Sequence, residues 1–286
     1  MKHYVAVDIG CIECGESTNV LGIYDMIELN KIYNEDCLEG ISKLSNDCID
    51  LIVTSPPYNV NLGNNKYNKN PYNLYNDNKD HKEYILWLKR IFGSCQRVLK
   101  DGGRVCINIG DGKNGAIPTS SDIIQFMVEL QYIPMTHIVW DKSQIGNRTA
   151  WGSFKSPSCP SFPTPFEHIL VFGHKSNKLQ YKGETDLTKE EFIEWANALW
   201  KFAPQTNQKK IGHPAMFPVE LPKRCIKMFS WVGATVLDPF MGSGTTAIAC
   251  INTNRNYIGF ELDKHYCDIA NERIRKALAD SDEKGL

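Results

Sequence analysis

A proline-rich turn carries the first set of residues suited to chemistry. Ser55-Pro56-Pro57-Tyr58 directly follows an apolar run that ends at Thr54. Two consecutive prolines lock the backbone and remove two N–H donors, so the carbonyl groups there act only as fixed acceptors. Together with the Ser55 hydroxyl and the flat ring of Tyr58, these carbonyls would hold an amino group on a planar ring. The alternative is an ordinary proline turn that closes a strand.

A glycine-rich turn forms the second set. Residues 235–246 predict a buried strand, a turn at Gly242 and Gly244, and a helix that begins near Thr245. Glycines let a ligand approach the backbone at the carboxyl end of a strand, where open α/β sheets bind ligands. The alternative is a tight strand–helix turn that binds nothing.

Three classes of ligand compete for this glycine-rich turn. A nucleoside triphosphate is disfavoured because the lysine of a phosphate-binding loop is missing. A dinucleotide stays open, because Gly242-x-Gly244-x-x-Ala247 fits the G-x-G-x-x-A pattern and Glu261 would hold a ribose. Asp238 in the turn would repel a pyrophosphate. Its carboxylate suits S-adenosylmethionine, which carries an ammonium and a sulfonium and no phosphate.

The elements that must position these turns alternate between short β-rich runs and helical patterns. This alternation predicts a single α/β domain with a doubly wound, mostly parallel sheet. Predicted strands cover 4–8, 31–34, 49–54, 104–109, 133–140, 169–173, 235–238 and 257–261. Predicted helices cover 38–44, 82–98, 121–130, 189–202, 218–229, 245–252 and 265–278. Thr188 with Glu191 three residues later predicts a helix-capping box.

Composition and charge exclude several classes of protein. The chain has 286 residues, of which 42% are hydrophobic and 23% charged, so disorder over the whole chain and a coiled coil are excluded. Its apolar runs are too short to cross a bilayer, and we expect neither a secretory signal nor a membrane partner. A net charge of −1 means that any nucleic acid must bind through a local basic patch.

The ten cysteines predict free thiols. Most of them lie in apolar runs, which is typical of buried thiols in a reducing cytoplasm. Cys11 and Cys14 invite a zinc interpretation, but no second pair of this spacing exists and a structural zinc ion needs four ligands. We therefore expect no metal.

Four segments are not expected to form part of the structural core. Residues 59–81 include nine asparagines and predict a flexible polar loop. Residues 142–164 are basic and aromatic and contain no acidic residue. Residues 175–210 are rich in lysine at both ends. Residues 1–28 form an N-terminal extension for which the sequence suggests no role.

Taken together, these motifs resemble the DNA amino-methyltransferases that use S-adenosylmethionine. Ser55–Tyr58 is similar to the catalytic tetrapeptide of that family, and residues 238–246 are similar to its cofactor loop. The catalytic motif comes first along the chain, which resembles the β subgroup with its circularly permuted motif order. The resemblance covers about residues 29–60, 82–142, 164–174 and 211–278.

The resemblance implies a cofactor site for S-adenosylmethionine. Glu261 would accept hydrogen bonds from the ribose hydroxyls, Asp36 would accept one from the adenine amino group, and Phe217 would lie near the methionine moiety. The loop that surrounds the methionine end would consist of Asp238, Pro239, Phe240, Gly242, Gly244 and Thr245.

The resemblance also implies a reaction. Ser55, the carbonyl of Pro56 and Tyr58 would hold a base flipped out of double-stranded DNA. Serine at the first motif position usually accompanies methylation of cytosine N4 and aspartate that of adenine N6, so we expect N4-cytosine methylation within a short site, with N6-adenine as the alternative. The family further implies a modification enzyme, monomeric or homodimeric, that protects DNA from a partner restriction endonuclease without contacting it.

Two segments are expected to contact DNA: 142–164 because of its composition, and 175–210 because the resemblance places the target-recognition region there. Arg148, Trp151 and Lys155 are the candidates for contact, because basic and aromatic side chains suit phosphates and base edges. The tryptophans at 195 and 200 are expected in the core. A DNA-binding module without turnover is the rival from another class, and the intact catalytic and cofactor motifs disfavour it.

Overall fold

One mixed sheet of eight strands organises the chain. The computed structural model describes residues 27–59, 79–142, 152–205 and 216–284. The strands are β1 Lys31–Tyr33, β2 Ile49–Thr54, β3 Leu99–Ile109, β4 Ile133–Asp141, β5 Phe166–Gly173, β6 Leu199–Lys201, β7 Thr235–Asp238 and β8 Asn256–Phe260. The helices are α1 Cys37–Lys43, α2 His81–Val98, α3 Thr119–Glu129, α4 Lys189–Trp195, α5 Glu220–Phe229, α6 Thr245–Ile251 and α7 Lys264–Lys284.

The strand order across the sheet is β1-β8-β7-β2-β3-β5-β4-β6. Five neighbouring pairs are parallel, and only β5 runs antiparallel to its neighbours β3 and β4. The predicted doubly wound, mostly parallel α/β fold is confirmed. Because β5 alone is reversed, its amino end lies at the same edge of the sheet as the carboxyl ends of the other strands.

Apolar side chains cover both faces of the sheet. On β2, Ile49 and Ile52 face one cluster and Leu51 and Val53 face the other, with an irregularity in the strand between Ile49 and Leu51. The first cluster includes side chains of α1, α2 and α3, and the second includes side chains of α4 to α7. A strand that is buried on both faces explains why β2 reads as a continuous apolar run rather than an alternating one.

One predicted helix is wrong. Residues 189–202 do not form a single helix: α4 ends at Trp195, and residues 199–201 form β6, which pairs in parallel with the end of β4. Trp200 lies opposite Trp140 in that pairing and is buried. Burial of Trp200 in the sheet therefore outweighs the helical pattern. The capping box at Thr188 and Glu191 is confirmed.

Other predictions have simpler outcomes. Trp195 and Trp200 lie in the core, as expected. The eight cysteines in the described part of the chain are all free, and six of them are buried. The predicted strand 4–8 and the pair Cys11 and Cys14 lie outside the described residues. No helix in the described ranges has the length and apolar character needed to cross a bilayer.

Candidate functional site

A cavity of about 400 Å³ opens where the carboxyl ends of the parallel strands meet. The turn after β2 and the loop after β7 both line it, because β2 and β7 are neighbours in the sheet. The residues that follow β1 and β8 close one end, and the ends of β3, β4 and β5 close the other. The volume lies within the range of small-molecule sites.

The predicted catalytic turn, residues 55–58, leaves β2 at Thr54 and enters the cavity directly. Ser55, Pro56, Pro57 and Tyr58 all line it. Pro56 is buried and the other three are half-buried, so the turn is held firmly while Ser55 stays accessible. These four predicted residues therefore lie together on one wall.

The hydroxyl of Tyr58 is the centre of a polar network. It donates to Glu167 Oε2 at 2.9 Å and accepts from Asn108 Nδ2 at 2.7 Å. Ser55 Oγ donates to the same hydroxyl at 3.2 Å. Burial, and next the nearby Glu167 carboxylate, raise the pKa of Tyr58 well above its usual range, so the phenol stays protonated. The network fixes the orientation of the Tyr58 ring.

Gly110 lets that ring pack closely against the end of β3. A Cβ atom at this position would lie 3.2 Å from Tyr58 Cε2 and 3.4 Å from Glu167 Cγ. Such a distance is tighter than ordinary van der Waals contact, so a larger residue would push the ring or the carboxylate aside. Glycine here supports the position of Tyr58.

The carboxylate of Asp238 joins three elements instead of facing the cavity. It accepts from Thr54 Oγ1 and Thr246 Oγ1, each at 2.6 Å, and from the Phe240 backbone N–H at 3.0 Å. Burial raises the pKa of Asp238 to about 6, although the two threonine hydroxyls act in the opposite direction. Neither Asp238 nor Gly244 is among the described residues that line the cavity. Asp238 is placed to hold β2, β7 and the start of α6 together.

The remainder of the predicted cofactor loop does line the cavity. Pro239, Phe240, Gly242 and Thr245 face it, and the Phe240 ring lies 5.4 Å from the ring of Trp87. Phe217 lines the cavity as well. These side chains give the loop an apolar wall, which a methionine chain and its sulfonium methyl can contact.

Glu261 supplies a carboxylate at the end of β8. Its Oε2 accepts from the Gly242 N–H and its Oε1 from the Asp263 N–H, both at 2.8 Å. Burial raises the pKa of Glu261 to about 7 in spite of these two bonds. Each oxygen keeps a lone pair for a further donor, such as a ribose hydroxyl. This arrangement fits a ribose, as the sequence suggested.

Asp36 lies at the end of β1 and begins α1. Its side chain accepts from the Leu38 N–H at 2.8 Å, and it also lines the cavity. One carboxylate oxygen therefore caps the helix, while the other can accept from an amino group. Together with Glu261 and the apolar wall of the loop, Asp36 gives the cavity groups that fit an adenosine carrying a methionine chain. Within the described ranges, no group of side chains could hold a metal ion.

The predicted DNA-contact residues are only partly described. Arg148 and Trp151 lie outside the described residues. Lys155 is exposed, and its ammonium lies 5.5 Å from the centre of the Phe154 ring. Phe154 and Phe162 are 70% and 71% exposed. The described part of segment 142–164 thus presents an aromatic and basic surface.

Sequence reasoning missed three polar residues on one wall of the cavity. Asn108, Lys142 and Glu167 line it opposite the cofactor loop. The signal was available for Asn108, a polar residue near the end of an otherwise apolar strand beside β2. Glu167 could not be placed from the sequence, because only the reversed direction of β5 brings its amino end to this edge.

The comparisons with known proteins agree on one family. The DNA methylase family matches residues 49–272. The type II methyltransferase M.MjaVI of Methanocaldococcus jannaschii is 39% identical over 66% of this chain and 94% of its own length. M.MjaI of the same organism is 32% identical over 82% of this chain and 88% of its own length.

A solved structure is similar as well. It is a candidate DNA modification methylase from Thermus thermophilus in complex with S-adenosyl-L-methionine. Its TM-score is 0.68 at 26% identity, and the match covers 86% of this chain and 93% of that one.

Proposed function

Because the chain belongs to the DNA methylase family, we propose that it transfers a methyl group from S-adenosylmethionine to the N4 amino group of cytosine in a short double-stranded sequence. The observation that carries this proposal is the position of Ser55 and Pro56 in the same cavity as the loop after β7. The amino group and the methyl donor would then lie side by side.

The cofactor is held at the end of the cavity formed by β1, β7 and β8. Glu261 accepts from the ribose hydroxyls, Asp36 accepts from the adenine amino group, and the wall of Phe217 and Phe240 contacts the methionine chain. When bound, S-adenosylmethionine supplies an activated methyl group on a sulfonium. Asp238 acts through the loop that it holds in place.

The catalytic turn orients the base. Ser55 Oγ and the Pro56 carbonyl accept the two amino hydrogens, which draws the nitrogen lone pair out of conjugation with the ring. The Tyr58 ring stacks on the base, and its anchored hydroxyl keeps that ring from turning. Fixed acceptors and a fixed stacking face lower the barrier by orientation and by preorganised dipoles. The amino group reaches this turn only from a base that has left the helix.

The choice of cytosine over adenine rests on Ser55. A neutral hydroxyl stands where an aspartate would accompany adenine. The carboxylate of Glu167 does not replace an aspartate, because it already accepts from Tyr58, Asn108 and Lys142. N6-adenine methylation by the same fold is the alternative.

The DNA is proposed to follow segments 142–164 and 175–210, of which the structure describes residues 142, 152–164 and 175–205. The exposed Lys155, Phe154 and Phe162 support this path in the first segment. The two relatives described above are type II methyltransferases, which supports a modification enzyme that protects DNA from a separate endonuclease. Of the predicted loop 59–81, residues 60–78 lie outside the described residues. Asn59 and Lys79, on either side of them, are joined by two hydrogen bonds of 2.8 and 2.9 Å.

The reaction is tested with isotopically labelled S-adenosylmethionine and mixed-sequence duplex DNA. After digestion to nucleosides, mass spectrometry identifies the labelled base. We expect N4-methylcytosine. Label on N6-methyladenine would replace cytosine by adenine in this proposal, and bound cofactor without any labelled base would refute methylation of DNA.

The role of Ser55 is tested with Ser55→Ala. Loss of one fixed acceptor should lower the rate of methylation about a hundredfold and leave the affinity for S-adenosylmethionine unchanged. Ser94→Ala on α2 is the matched control, because Ser94 donates only to the Arg90 carbonyl among the described residues. Equal rates for the two variants would show that Ser55 has no part in the reaction.

A further inference from the structure

An ion pair forms the wall of the cavity that faces away from the cofactor loop. Lys142 follows β4, and Glu167 lies near the start of β5, opposite Trp140. The Lys142 N–H donates to the Pro165 carbonyl at 3.0 Å, which fixes its backbone. The Lys142 ammonium contacts Glu167 Oε1. The side chains of Lys142 and Glu167 are 26% and 13% exposed, so the pair lies inside the cavity and not at its rim.

The two members of this pair differ in how far their bonding capacity is used. Glu167 Oε2 accepts from the Tyr58 hydroxyl at 2.9 Å and from Asn108 Nδ2 at 2.8 Å, while Oε1 accepts from Lys142. An ammonium has three donors, and Glu167 is the one acceptor of Lys142 within the described residues. The face of the Trp140 ring lies 5.2 Å from the ammonium. Lys142 therefore keeps donor hydrogens for a molecule in the cavity.

The other end of the same network carries acceptors for a ligand. Ser55 Oγ donates to the Tyr58 hydroxyl, which also accepts from Asn108 Nδ2. Ser55 and Pro56 both line the cavity, so the Ser55 hydroxyl oxygen and the Pro56 carbonyl are available to a donor. The cavity thus lacks a donor near Ser55 and an acceptor near Lys142.

We propose that Lys142 donates a hydrogen bond to the ring carbonyl oxygen of the target cytosine, and that Glu167 is the positioning residue that holds Lys142 there. This inference rests on the proposed function. Cytosine carries an amino donor and a carbonyl acceptor at opposite ends of one edge, which matches the acceptors of Ser55 and Pro56 and the donors of Lys142. Adenine has a carbon-bound hydrogen where cytosine has the carbonyl. Lys142 would therefore be a specificity-determining residue.

The network separates Lys142 from Ser55. From Ser55 the hydrogen bonds run to Tyr58, then to Glu167, and only then to Lys142. A donor bonded to Ser55 itself would meet the ring nitrogen beside the amino group, which cytosine and adenine share. Lys142 does not bond to Ser55 in the described network, so we assign its donors to the far end of the edge, where the two bases differ.

A phosphate is a poorer partner for this lysine. The Glu167 carboxylate lies against the ammonium and would repel a phosphate, whereas a neutral carbonyl has no such penalty. Phosphates also run along the outside of DNA and would meet the exposed Lys155 first. The structure favours contact with a base.

The test compares Lys142→Met, which removes the donors, with Lys142→Arg, which keeps them. Lys89→Met is the matched control, because Lys89 forms a similar ion pair with Glu129 at 2.6 Å on the outer helices. Each variant is assayed for labelled nucleosides on mixed-sequence duplex DNA and for affinity for S-adenosylmethionine by calorimetry. Loss of a charged hydrogen bond should slow cytosine methylation by Lys142→Met about 10- to 100-fold. Lys142→Arg should recover part of that rate, and cofactor affinity should stay unchanged.

A second measurement leaves the protein unaltered. Once the methylated sequence is mapped, a duplex is made in which sulfur, a weaker acceptor, replaces the carbonyl oxygen of the target cytosine. Wild type should lose about tenfold in rate, and Lys142→Met should lose nothing more, because the contact is already absent.

The outcomes separate the two proposals. If wild type labels cytosine and Lys142→Met matches it, the Lys142 inference is wrong and the proposed function stands. If wild type labels adenine, both are wrong. If Lys142→Met methylates cytosine at the wild-type maximal rate and only weakens DNA binding with a smaller salt dependence, Lys142 contacts a phosphate and the inference is overturned.

Discussion

Hydroxyl groups, more than charges, join the proposed catalytic half of the site to the proposed cofactor half. Thr54 ends the strand before Ser55, and its hydroxyl donates to Asp238, which ends the neighbouring strand. Thr246 on α6 donates to the other oxygen of the same carboxylate. The buried Asp238 therefore links the two motifs that the sequence singles out. Its chemistry is that of an internal acceptor, although the sequence suggested direct contact with the cofactor.

Two substitutions of Asp238 distinguish these roles. Asp238→Ala leaves two hydroxyls and the Phe240 N–H without an acceptor, so it should lower the free energy of unfolding by about 3 kcal/mol and weaken cofactor binding with it. Asp238→Asn keeps an acceptor and should retain most of both. Urea denaturation and calorimetry measure the two effects. If the Asp238→Asn protein is stable but fails to bind S-adenosylmethionine, the Asp238 charge contacts the cofactor directly.

Prediction at the residue scale worked where a motif is continuous and failed where a residue acts through its place in the sheet. Ser55 to Tyr58 are consecutive, and all four line the cavity. Asn108 and Glu167 are 59 residues apart, yet their side chains bond at 2.8 Å. Nothing in either local sequence specifies that contact, because it depends on the antiparallel register of β3 and β5.

At the scale of elements, Gly244 allows the start of α6 to pack closely against α7. It precedes α6 with φ +81°, and a Cβ atom there would lie 3.0 Å from the Cβ of Ala270 on α7. The glycine therefore serves both a left-handed turn and a close approach between helices. Its role lies in shaping the loop, since it does not line the cavity.

Gly244→Ala tests this packing, with Gly233→Ala as the control. Gly233 has φ +78°, and a Cβ atom there would meet nothing within 4 Å. Both variants force alanine into a left-handed conformation, which costs about 1 kcal/mol, but only Gly244→Ala should lose about 1–2 kcal/mol more and bind the cofactor less tightly. Urea denaturation gives the difference. Equal losses would show that α7 yields to the extra methyl group.

Elements with a strong local pattern were predicted closely, and the exception is instructive. The bounds of β2 and β7 agree with the prediction residue for residue. The helix predicted over 189–202 ends at Trp195 instead, and residues 199–201 join the sheet beside β4. A three-residue edge strand has too few residues to show a period, so its sequence carries no signal that competes with a helical pattern.

At the scale of the whole molecule, two buried carboxyls should make stability depend on pH. Burial raises the pKa of Asp238 to about 6 and that of Glu261 to about 7, above their values in an unfolded chain. The folded protein therefore holds more protons than the unfolded one between about pH 4 and 7. The contribution of these two groups to the free energy of unfolding therefore falls as the pH rises through that window, and it is constant above it.

Glu261→Gln isolates one of these groups. From pH 6 to 8 the unliganded wild type should lose about 1 kcal/mol relative to this variant. His137 and His174, whose pKa values burial lowers, act in the opposite direction but are common to both proteins. The other titratable groups that face Glu261 are present in both proteins: Asp238, Asp263, the thiols of Cys37 and Cys267, and Tyr266. Thermal denaturation at several pH values measures the difference, and parallel curves would contradict it.

The pairing of β2 with β7 has a consequence for how the protein is made. Thr54 and Asp238, whose side chains bond across that pair, are 184 residues apart. At roughly 5–20 residues per second, the ribosome synthesises Asp238 about 10–40 s after Thr54. During that interval the catalytic turn exists without the strand that seats the cofactor beside it. A nascent chain therefore cannot modify DNA, and activity begins only after β7 has entered the sheet.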